Sequence, residues 1–114
     1  MKIKIAVAED NNFLFESIKD KISLFPDFTL KFRGEHGQNL LTLLQENHNI
    51  DLVLMDIQMP VMDGIEATQI IKTKYPQIKV IMLTIFDSDD YIFKAIKAGA
   101  NGYLLKEIEN FEYP

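Results

Sequence analysis

The chain has 114 residues, 47% hydrophobic and 25% charged, with no cysteine and a formal net charge of −5. That size and balance suit one domain around one core, and the lack of cysteine excludes a disulfide framework or a thiolate metal site. An acidic chain without a run of Lys and Arg is a poor direct binder of nucleic acid. No apolar stretch reaches membrane-spanning length and Met1-Lys2-Ile3-Lys4 lacks the apolar core of a secretion signal, so a cytoplasmic protein that meets proteins, cations or both is expected.

In chain order, Ile3, Ile5 and Val7 alternate with Lys2, Lys4 and Ala6 as a strand that stops at Glu9-Asp10. Asn11 and Asn12 can cap a helix whose apolar stripe is Leu14, Ile18, Ile22 and Phe25, ending at Pro26. Phe28, Leu30 and Phe32 alternate strictly with Thr29, Lys31 and Arg33, the pattern of a half-exposed edge strand. Leu40, Leu41, Leu43 and Leu44 make a helix of two or three turns, flanked by His36 and His48, which read as surface histidines because neither has a second ligand at metal-binding spacing.

Leu52 to Met55 is apolar on both faces, as a buried parallel strand must be, and ends at Asp56. Pro60 and the Asp63-Gly64 turn hold the following loop open before a helix over Ile65 to Tyr75 with Ala67, Ile70 and Ile71 on its stripe. Val80 to Leu83 is a second buried strand running into Thr84. Ser88, Asp89 and Asp90 start a helix with Ile92, Ala95 and Ile96 on its apolar side and Gly99 as its stop, and Tyr103 to Leu105 is a last strand ending at Lys106.

Five strands separated by helices predict a parallel sheet with helices on both faces. In such a sheet ligands bind at the carboxyl ends of the strands, where Glu9-Asp10, Asp56, Thr84 and Lys106 all fall. Carboxylates crowded in one crevice repel each other, and a hard cation with oxygen ligands relieves that; Mg²⁺ fits best because it takes few carboxylates and keeps waters. With Lys106 as a mobile positive charge and Thr84 as a hydroxyl donor, the set suits phosphoryl transfer to a carboxylate, with Asp56 as nucleophile. Taken singly, each residue has a plain structural role: Thr84 as a strand residue, Lys106 as a solvated strand end, Tyr103 as a half-buried aromatic, Glu9-Asp10 as a capping turn.

Together, the acidic pair, the block Leu54-Met55-Asp56-Ile57-Gln58-Met59-Pro60-Val61-Met62-Asp63-Gly64, Thr84 and Lys106 resemble the receiver domains of two-component response regulators. Gly102-Tyr103-Leu104-Leu105-Lys106-Glu107 is most similar to the NarL/LuxR-type group. The resemblance implies a flavodoxin-like (CheY-like) doubly wound α/β fold with strand order 2-1-3-4-5. It implies that Asp56 accepts a phosphoryl group from a histidine kinase or a small phosphodonor. Asp10, Asp56 and the main-chain carbonyl of Gln58 would bind Mg²⁺, with Glu9 acting through water. Lys106 would hold the phosphoryl group, Thr84 would close onto it, and Tyr103 would turn inward as the aromatic switch.

By the same resemblance residues 1–114 would be the phosphoacceptor receiver domain, the amino-terminal part of a longer regulator, reaching DNA only through an output domain, and not a turnover enzyme for an external substrate. A degenerate receiver that binds a partner without phosphorylation is the alternative. An aspartyl-phosphate hydrolase would need a second Asp two residues after the nucleophile, where Gln58 stands. Glu107 to Pro114 is short for a stable helix, so the fifth helix is expected to be truncated or missing, leaving the face beside Leu14, Ile18 and Ile22 uncovered and open to homodimer formation.

Overall fold

The strands β1 (Ile3–Ala8), β2 (Phe28–Gly34), β3 (Leu52–Asp56), β4 (Lys79–Thr84) and β5 (Gly102–Leu105) pair in parallel, in the order β2-β1-β3-β4-β5. The helices α1 (Asn12–Ser23), α2 (Gly37–Glu46), α3 (Gly64–Lys74) and α4 (Asp89–Ala98) make the crossovers. The computed structural model describes residues 2–84 and 89–105. The expected truncation of a fifth helix concerns residues 106–114 and lies outside the described residues.

Alternation along the central strands sends side chains to two cores. Ala6, Val53, Met55, Val80 and Met82 pack against α2, α3 and α4 through Leu40, Leu44, Ala67, Ile71 and Ala95. Ile5, Val7 and Leu54 face α1, where Ile18 and Ile22 meet them. Between α1 and this face runs an apolar groove of about 690 Å³, lined by Leu14, Ile18, Ile22, Leu54, Ile81 and Leu104. Among the described residues no helix is long and apolar enough to cross a membrane.

Four local expectations are corrected. Phe25 lies beyond α1: the Leu24 and Phe25 amides bond three residues back, to Lys21 and Ile22, tightening the last turn ahead of Pro26, and the Phe25 ring rests 5.3 Å from that of Phe28. In α4 Ala95 is buried, but Ile96, one helical step round, is 61% exposed. Gly64 is the first residue of α3, capped by Asp63, whose Oδ1 accepts from the Glu66 amide at 2.9 Å.

The fourth correction is in β2. Its register against β1 shifts between Ile5 and Ala6, so that Ile5 pairs with Leu30 and Ala6 with Phe32, leaving Lys31 as an extra residue. Phe28 and Leu30 pack on the α1 side and Phe32 on the other.

Both histidines have structural roles: His36 caps α2, its Nδ1 accepting from the Asn39 amide at 3.2 Å, and the His48 ring stacks on Tyr75 at 5.1 Å. At the amino end of the sheet the turn from α4 to β5 is held by Asn101, whose amide donates to the Val80 carbonyl at 2.7 Å. Its Oδ1 accepts from the Val80 amide at 2.9 Å and from Lys72 Nζ at 3.1 Å. Gly99 makes that turn possible with a φ of 106°, in the left-handed region.

Candidate functional site

Ala8 pairs with Met55, so the residues that follow, Glu9 and Asp56, leave neighbouring strands side by side. Glu9, Asp10 and Asp56 each bring a carboxylate oxygen to one place, all within 4.8 Å of one another. Glu9 is 1% exposed and Asp56 7%, whereas Asp10 faces solvent. Buried carboxylates need donors. The Asn11 amide bonds Glu9 Oε2 at 3.1 Å and the Ile57 amide bonds Asp56 Oδ1 at 2.9 Å.

This donor set fits Mg²⁺. It is all oxygen, carries few carboxylates and has one edge open to water through Asp10, as a small hard cation that retains water requires. The acidic repulsion within 4.8 Å is the kind that such a cation relieves.

The other expected site residues divide. Leu83 pairs with Asp56, so the backbone of Thr84 stands one residue further along at the same edge of the sheet. Gln58 is exposed in the loop after β3. Tyr103 pairs with Met82 and is half-buried against the core shared by α2, α3 and α4. Lys106 follows the last residue of β5 and lies outside the described residues.

Two features of the loop after Asp56 were not anticipated. The Gly64 amide donates to the Ile57 carbonyl at 2.8 Å, closing the loop over the strand tip. Within it the Met62 amide bonds the Pro60 carbonyl at 2.7 Å, a three-residue turn centred on Val61 with φ 69°. Neither Val61 nor its neighbours carry a sequence signal for that conformation, which Gly or Asn would announce.

Residues 5–112 match the model of the response regulator receiver domain. The chain belongs to the response regulator receiver domain family. Within that family it is similar to the transcriptional regulatory protein DegU of Brevibacillus brevis, 40% identical over 108 residues that cover 95% of this chain and 45% of that protein.

Two solved structures agree with the NarL/LuxR-type resemblance. A DNA-binding response regulator of the LuxR family from Staphylococcus aureus has a TM-score of 0.84 at 33% identity, covering 95% of this chain and 91% of that one. A two-component response regulator of the LuxR family from Aurantimonas sp. SI85-9A1 has a TM-score of 0.88 at 25% identity, covering 98% and 79%. The chain spans about half the length of the curated relatives it matches.

Proposed function

We propose that Asp56 is the phosphoacceptor of a two-component system, taking a phosphoryl group from a histidine kinase in a Mg²⁺-dependent reaction and switching conformation to control an output. The observation that carries this reading is the meeting of Glu9, Asp10 and Asp56 at adjacent strand ends, with Asp56 at the centre of the sheet. Asp10, Asp56 and the Gln58 carbonyl would hold the cation, and Glu9 would reach it through water. When bound, the cation supplies positive charge to the phosphoryl oxygens.

An oxygen of Asp56 attacks phosphorus as the bond from phosphorus to the donor's histidine nitrogen breaks, leaving an acyl phosphate on Asp56 and a histidine that regains its proton. Lys106 pairs with the phosphoryl oxygens and Thr84 donates its hydroxyl to them. Tyr103 turns inward as Thr84 moves. Water later cleaves the acyl phosphate, returning the Asp56 carboxylate and inorganic phosphate, so the chain acts on itself and turns over no external substrate.

Residues 1–114 are, in this reading, the amino-terminal receiver of a longer cytoplasmic regulator whose output domain binds DNA and controls transcription, as the descriptions of its relatives suggest. The degenerate alternative has no observation in its favour, since the three carboxylates stand together. Intact-mass measurement after incubation with Mg²⁺ and acetyl phosphate tests the proposal. A gain of one phosphoryl group that Asp56→Asn abolishes is expected; an unmodified wild-type chain, or an equally modified variant, overturns it.

A further inference from the structure

The extra residue in β2 decides where Arg33 lies. Phe28 and Leu30 pack on the α1 face, and strict alternation would put Phe32 there too and send Arg33 to the opposite face. With Lys31 inserted, Phe32 joins the other core, and Arg33, paired with Val7, returns to the α1 face. Bulges beside functional sites re-aim side chains in this way.

On that face the guanidinium donates twice to one atom, the main-chain oxygen of Glu9, from Nε at 2.9 Å and from Nη2 at 2.8 Å. Its central carbon lies 4.6 Å from the centre of the Phe15 ring in the first turn of α1. The Glu9 amide is itself tied to β2, donating to the Gly34 carbonyl at 3.1 Å. Because a peptide unit is planar, holding the Glu9 oxygen also sets the amide and Cα of Asp10. One side chain thus bridges the end of β1 and the start of α1, the two anchors of the loop that carries Glu9 and Asp10.

We propose that Arg33 is a positioning residue for the cation site, holding the loop between β1 and α1 in the conformation from which Asp10 reaches the cation. The inference rests on the cation reading of Glu9, Asp10 and Asp56. It runs against simple electrostatics, in which a nearby guanidinium repels a dication and its removal tightens binding. The doubled bond to a carbonyl oxygen favours the geometric role, because groups that orient a metal ligand tune affinity by about tenfold or more.

Amide NMR titration of the 114-residue chain with MgCl₂, followed at Asp10 and Asn11, separates these cases. Arg33→Gln is expected to raise the Mg²⁺ Kd by about tenfold, and Arg33→Lys, which keeps the charge but loses the two-pronged hold, to raise it by a smaller factor. Lys72→Met, at the opposite end of the sheet, serves as a destabilised control whose Kd stays at the wild-type value. Tighter or unchanged binding in Arg33→Gln overturns the inference, as does failure of both Arg33 variants to fold, which would make the residue purely structural. A wild-type chain that shows no Mg²⁺ shifts overturns the cation reading itself, and this inference with it.

Discussion

Gly64 stands against the carbonyl of Asp56 with no room for a methyl group: a Cβ there would overlap that oxygen and lie 2.8 Å from Cγ of Met55. The first turn of α3 can approach the strand tip only because this position has no side chain. Gly64→Ala must push the helix away from β3 or displace Asp56, and overpacking of this kind costs about 2 kcal/mol or more. Urea denaturation is expected to show that loss. A variant as stable as the wild type would mean that α3 slides freely over Asp56.

Asp10→Asn should abolish Mg²⁺ binding and phosphorylation together while leaving the fold intact, since Asp10 is exposed and its neighbours Glu9 and Asp56 keep their amide donors. Excess EDTA should stop phosphorylation of the wild type. Labelling that proceeds in EDTA, or at the normal rate in the variant, would show that the crevice does not work through a cation.

Thr84→Ala should still gain a phosphoryl group but fail to transmit it. Phosphorylation of the wild type is expected to shift amide resonances across α4 and β5, because in the proposed switch a strong acceptor at Asp56 would draw Thr84 and free space for Tyr103. Shifts of full size around Tyr91 to Tyr103 in the variant would break the proposed coupling.

Val61, 79% exposed, holds a φ of 69° that is costly for a β-branched residue. Val61→Asn should relieve that strain and stabilise the chain by about 1 kcal/mol, seen as a higher Tm with phosphorylation unchanged. A lower Tm would show that the valine side chain contributes more than its backbone costs.

Burial, and after it the charge of Lys79, hold the Lys72 ammonium below the usual lysine range. The unfolded chain therefore keeps this proton to higher pH, and the stability linked to Lys72 rises with pH up to the unfolded value of 10.5. Lys79→Gln removes the second cause and should move the Lys72 titration upward in side-chain NMR. An unmoved titration would leave burial as the sole cause.

The strands and their acidic tips were legible because apolar runs ending in Asp56 and in Glu9-Asp10 mark strand ends directly, whereas the order of the strands in the sheet came from the resemblance to receivers. What escaped were features set by partners rather than by local pattern. Phe28, Leu30 and Phe32 alternate as cleanly with the bulge as without it, since the shift is defined by the pairing with Ile5 and Ala6. Ile96 and Phe25 fit an apolar stripe by spacing, yet Ile96 is exposed beside buried Ala95, and α1 ends at Ser23, before Phe25. Gly64 read as half of a turn, although its requirement comes from Asp56, eight positions earlier in the chain.

The bonds around Asn101 give α4 a fulcrum. Main chain and side chain of that one residue fasten the turn after Ala98 to the start of β4, and Lys72 locks the same point to α3. The other end of α4 lies toward Thr84, at the edge of the sheet where Asp56 is. A helix held at one end pivots there, so a withdrawal of Thr84 would displace α4 most at Asp89 and fade along it toward Ala98.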